Sequence, residues 1–145
     1  MKKLILSIAL TIFLFTSHSC NKQVVESPIP NVPFDITLNL TLPLYSDLLH
    51  PMAGIVFING GSRGIAILRT GPEQFVVFDR HCPHQVEQGH SVVSNPDNSA
   101  GLWDEDGCGS EFNMLNAGLP DKGPAVTALK TYNYTYNGTN LRVYN

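Results

Sequence analysis

Phe78-Asp79-Arg80-His81-Cys82-Pro83-His84 puts a thiol and an imidazole two residues apart, directly after a β-type run. That pairing on one loop reads as half of a metal-binding site. The other half must come from a later loop that folds back toward it. The later stretch that carries a cysteine is Trp103-Asp104-Glu105-Asp106-Gly107-Cys108-Gly109-Ser110-Glu111-Phe112. It supplies one thiol, three consecutive acids and no imidazole.

Around these two stretches the chain reads as β throughout. Ile36, Leu38, Leu40 and Leu42 alternate with polar residues, the period of two that marks a half-buried strand. Residues 55–58 and 65–68 are apolar and flank Asn59-Gly60-Gly61, a hairpin signal. Residues 74–78 follow the Gly71-Pro72 turn. Residues 131–136 and 141–144, aromatic and β-branched, flank Asn137-Gly138 and predict a second hairpin. No stretch carries a helical apolar stripe, and residues 45–49 suffice for a single turn. Residues 80–125, rich in Gly, Asp, Asn, Pro and His, read as a loop-dominated insertion between good strands. Loops on a rigid β scaffold are where function usually sits.

The N-terminus reads as a targeting segment. Lys2 and Lys3 precede an apolar run over 4–15, too short to cross a bilayer and the right length for a secretory signal. Ser17-His18-Ser19-Cys20 then resembles the lipobox of bacterial lipoproteins, with Ser17 where that signal usually has Leu. On this reading residues 1–19 are removed and Cys20 is lipidated; the plainer alternative is an ordinary signal peptide cut nearby. Residues 20–33, polar with three prolines, form a tether, and 34–145 form one domain. The expected location is the cell envelope, extracytoplasmic, at the periplasm or the outer membrane. The expected partners are the membrane, through the lipid, and an envelope protein. Beyond residue 19 the chain has seven basic and twelve acidic side chains, without a basic stripe, which argues against nucleic acid.

From about residue 55 to the C-terminus the chain resembles a Rieske [2Fe–2S] domain. The resemblance rests on Phe78-Asp79, Cys82-x-His84, Gly109-Ser110-x-Phe112, Gly118 and Gly123-Pro124-Ala125, in that order. It implies an all-β, Rieske-like antiparallel sandwich or barrel with two cluster-loop insertions. It also implies a [2Fe–2S] site at Cys82, His84 and Cys108. In the family the second loop reads Cys-x-x-His-Gly-Ser-x-Phe, and here the ligands differ. Aligning Gly109-Ser110 puts Cys108 at the histidine position and Glu105 at the cysteine position; the other register puts Glu111 at the histidine. Iron–sulfur clusters take thiolates, with imidazole on one iron in Rieske centres, whereas a carboxylate is a hard ligand. The resemblance thus implies the fold more firmly than the cofactor.

Besides the cluster, two chemistries stay open for the loop tips. If they face each other without a cluster, Cys82 and Cys108 could close a disulfide. Cys82, His84, Cys108 and Glu105, with His81 nearby, could hold a mononuclear metal such as Zn²⁺, although the spacing matches no zinc pattern. Asp104-Glu105-Asp106 itself reads as a solvated acidic turn. Catalytic motifs are absent: the sequence has no nucleophile elbow, phosphate loop or His-Glu-x-x-His. Two functions follow. One is a non-redox structural or interaction module of electron-transfer ancestry. The other is a small ferredoxin-like carrier holding [2Fe–2S] through atypical ligands.

Overall fold

The computed structural model describes residues 27–145. The expected signal peptide and the lipidated Cys20 lie outside them. Among the described residues there is no α-helix, and no helix is long and apolar enough to cross a membrane. Ten strands among the described residues form three antiparallel sheets. β1 (Asp35–Asn39), β10 (Asn140–Tyr144) and β9 (Asn133–Tyr136) make the first, in the order β1-β10-β9. β2 (Ile55–Ile58), β3 (Ile65–Arg69) and β4 (Phe75–Asp79) make the second, in sequence order. β5 (Val93–Ser94), β6 (Gly101–Trp103), β7 (Glu111–Asn113) and β8 (Leu119–Lys122) make the third, also in sequence order.

The second sheet lies between the other two, and β3 shows why. Successive strand residues face opposite ways. Ile65 and Ile67 enter a core with Leu38, Leu141 and Val143 of the first sheet. Ala66 and Leu68 enter a separate core with Leu102 and Phe112 of the third. Every residue of β3 is buried. A strand covered on both faces reads as a continuous apolar run, and Ile-Ala-Ile-Leu is such a run. β4 divides in the same way, with Phe75 and Val77 on one side and Val76 and Phe78 on the other.

The structure refines several sequence expectations. The first strand stops at Asn39, where Pro43 opens a 3₁₀ turn over Pro43–Leu48, so Leu42 is exposed rather than part of a strand face. The hairpin joining β2 and β3 closes through six residues, 59–64, and not through a tight Asn-Gly turn. The insertion contains the entire third sheet. Its strands have only two to four residues each, too short to show a period.

One buried carboxylate joins these layers. Asp79, at the end of β4, is fully buried. Its Oδ2 accepts the N–H of Ser62 at 2.6 Å and the Tyr132 hydroxyl at 2.5 Å. Its Oδ1 accepts the N–H of His81 at 2.7 Å and of Arg63 at 3.3 Å. A carboxylate buried with this many donors is satisfied rather than penalised. The grip also explains Gly61, whose φ is +59° and where a Cβ would lie 2.5 Å from both Asp79 Oδ2 and the Tyr132 hydroxyl.

Asp79→Asn should cost about 2–4 kcal/mol in denaturant unfolding, and Tyr132→Phe about 1–2 kcal/mol, because each leaves buried partners unpaired. Burial, then the hydrogen bond to Asp79 and its charge, push the Tyr132 hydroxyl well above the ordinary tyrosine range. The folded state therefore holds this proton after the unfolded chain has released it. The contribution is complete below about pH 10, the unfolded value, and falls as pH rises beyond it. Stability measured against pH should lose this alkaline slope in Tyr132→Phe.

Candidate functional site

The two cysteine loops leave different sheets and meet. The first follows β4: Asp79 holds the N–H of His81, and Arg80 and Cys82 pair with the Val92 and His90 backbones. Cys82 is thereby buried in the core between the second and third sheets. The second loop joins β6 to β7. Asp104 N–H donates to the Ser110 carbonyl at 2.9 Å, and Gly109 N–H donates to the Asp104 carbonyl at 3.0 Å. This narrow turn lifts Cys108 toward Cys82, with the sulfurs 3.9 Å apart.

Ser110 fastens the turn from behind. Its hydroxyl lies 2.9 Å from Cys108 Sγ and accepts the Ala125 N–H at 3.0 Å. Gly123 packs flat on Ser110, where a Cβ would come 2.5 Å from the Ser110 Cα. The Gly123-Pro124-Ala125 segment therefore closes over the second loop.

The third donor is one that sequence reading put in solvent. Asp104 is 1% exposed, while Glu105 and Asp106 are exposed. A sulfur from Cys82, a sulfur from Cys108 and a carboxylate oxygen from Asp104 all lie within 4.8 Å of one another. Asp104 Oδ2 accepts the Cys108 N–H at 3.0 Å. Its Oδ1 is buried with no hydrogen-bond partner. Gly107 makes this wrapping possible, since a Cβ there would come within 2.4 Å of Asp104 Oδ2. The sequence alone carries no signal for this: once β6 pairs with β7, Leu102 faces the core and Asp104, two residues on, faces it too, with Glu105 turned outward.

The other expected ligands fall elsewhere. Glu105 is exposed and takes no part in the group; the carboxylate beside the sulfurs belongs to Asp104, one residue earlier. Glu111 lies in β7, bound to Lys122 at 2.7 Å. The His84 ring is outside the group, although the His84 N–H is directed at the Cys82 sulfur. His81 is spent on structure, with Nε2 donating to the Val86 carbonyl at 2.9 Å and Nδ1 facing the Ser62 hydroxyl at 2.8 Å. The expected disulfide between Cys82 and Cys108 is not formed. The thiols are free, and their separation is far beyond the roughly 2.05 Å of a sulfur–sulfur bond. Ser110 draws the Cys108 sulfur onto its hydroxyl instead.

Comparison with solved structures settles the architecture. The plasma membrane Rieske protein PetC3 from the cyanobacterium Synechocystis PCC 6803 superposes with a TM-score of 0.53 at 25% identity, over 68% of this chain and 91% of that one. The fold is Rieske-like. A chain from the complex of reduced oxygenase and oxidized ferredoxin in carbazole 1,9a-dioxygenase has the same architecture. It matches at TM-score 0.51 and 21% identity, over 75% of this chain and 93% of that one. No protein-family model and no curated protein matches the sequence.

The donor set at the Rieske-like loop tips does not fit a Rieske cluster. Such a centre needs two thiolates on one iron and two imidazoles on the other. Two sulfurs and a carboxylate converge here, and no imidazole joins them. Burial pushes the Cys82 thiol far above its ordinary value, with Asp104 and Cys108 pushing the same way and the His84 N–H opposing them. Without a cation this sulfur is therefore a neutral thiol. In chelator-treated, reduced protein, iodoacetamide should label the half-buried Cys108 at least about tenfold faster than Cys82 under native conditions. Peptide mass spectrometry over time checks the order, and denaturant should abolish it.

Proposed function

We propose that this chain is an extracytoplasmic, lipid-anchored Rieske-like module that descends from electron-transfer proteins and acts as a non-redox structural or interaction domain. The observation that carries the reading is the donor set at the loop tips, where a carboxylate and two thiols converge and imidazoles are missing. A [2Fe–2S] group there would have a hard oxygen in place of nitrogen or sulfur, a poor match for iron–sulfur chemistry.

Ancestry is supported by the likeness to the plasma membrane Rieske protein, whose length this chain covers almost fully. The scaffold is kept down to the Gly-Ser turn and the Gly-Pro-Ala segment that closes on it. Membrane attachment rests on the sequence before the described residues, where a short apolar run over 4–15 is followed by Cys20. Several acyl chains at Cys20 would hold the domain at the membrane, since one chain alone binds only marginally.

Full-length protein produced with iron–sulfur assembly supported and isolated without oxygen should be colourless, with neither stoichiometric iron nor acid-labile sulfide. Its circular dichroism should show a folded β domain. Brown protein with two irons and two sulfides per chain would instead establish the electron-carrier function. Labelling with radioactive palmitate should be lost in Cys20→Ala if Cys20 is the lipid attachment site.

A further inference from the structure

Asp104 Oδ1 poses a specific chemical problem. A buried carboxylate oxygen without a donor is costly, and this one belongs to a side chain whose other oxygen and backbone are already fastened. The carboxylate lies beside two sulfurs, and Oδ1 itself has one ring nitrogen near it. His90 Nδ1 is 4.0 Å from it. The opposite ring nitrogen of His90, Nε2, lies 3.0 Å from the Gln88 side-chain oxygen. An amide oxygen only accepts, so Nε2 carries the hydrogen, and in the neutral ring Nδ1 presents a lone pair. Lone pairs of nitrogen and carboxylate oxygen facing each other, with two sulfurs beside the carboxylate, make a donor set matched to a bound cation.

We propose that Cys82, Asp104 and Cys108 form a mononuclear site for one divalent cation of the Zn²⁺ class, with His90 Nδ1, 4.0 Å from Asp104 Oδ1, as the candidate fourth ligand. Geometry supports this. Two thiolates on a tetrahedral zinc, at Zn–S of about 2.3 Å, lie about 3.8 Å apart, and the two sulfurs here are 3.9 Å apart. The donor mixture narrows the metal class. Soft Cu⁺ disfavours a carboxylate and hard Mg²⁺ or Ca²⁺ disfavours thiolates, whereas zinc takes both. Binding would draw both thiol protons off, leaving two thiolates and a carboxylate around the cation. The cross-link would then join the two loops where a cluster would otherwise sit.

The test uses full-length protein purified without chelator, equilibrated with Zn²⁺ and freed of excess metal. One zinc per chain is expected, with neither thiol reacting with Ellman's reagent until a chelator is added. Co²⁺ in its place should give thiolate-to-cobalt charge-transfer absorption and the visible bands of a four-coordinate ion. Asp104→Asn should weaken Co²⁺ binding by about 10–100-fold with an unchanged circular dichroism spectrum. Cys108→Ser should roughly halve the charge-transfer intensity. Exposed Glu105→Gln is the control and should bind as the parent does. Zinc-free protein, thiols that react at full rate with zinc present, or a disulfide that forms instead would each overturn the site. So would loss of binding in Glu105→Gln with Asp104→Asn unaffected. This inference does not depend on the non-redox reading. Iron with sulfide would overturn both, whereas metal-free and sulfide-free protein would overturn this one alone.

Discussion

The buried carboxylate of Asp79 is the interaction on which the arrangement depends. It takes donors from the β2–β3 loop through Ser62 and Arg63, from the first cysteine loop through His81, and from the segment before β9 through Tyr132. A charge in the interior is tolerated only when its oxygens are filled, and here four donors fill them. Because those donors come from separate parts of the chain, satisfying Asp79 fixes the segments relative to one another. The first loop leaves β4 at a set angle, and Cys82 enters the core three residues later.

A second constraint acts through β3. A single strand with apolar residues at every position has no solvent face, so it must be covered twice. The first sheet covers one side and the third the other. The third sheet is the piece that carries the second cysteine loop. Covering β3 thus brings β6 and β7 over the end of β4, and the two loops converge. Function-bearing geometry at the loop tips follows from hydrophobic layering, with the polar network of Asp79 and Ser110 setting the last few ångströms.

Much of this was legible in the residues. The alternation over residues 36–40 and the continuous apolar runs flanking the Gly-rich turn identified the larger strands. The ordered motifs from Cys82 to Ala125 pointed to the Rieske-like architecture that the solved structures share. The third sheet escaped notice because strands of two to four residues in a Gly- and Asp-rich region owe their pairing to neighbours rather than to their own pattern. Asp104 was misplaced for a related reason. Three acids in a row look alike as a turn, and only the pairing of Trp103 with Glu111 sets which of them points inward. The disulfide expectation took proximity as bonding, whereas Ser110 holds the Cys108 sulfur away.

Composition along the chain was enough to show what the loops own: two cysteines, one on each, and no histidine on the second. That inventory is one-dimensional and needs no folding. Which oxygen stands beside those sulfurs was decided by tertiary structure alone, through the register of β6 against β7 and the flat approach of Gly107. Side-chain direction in a short strand is inherited from its partner, so the ligand chemistry of this protein becomes visible only once the sheets are paired.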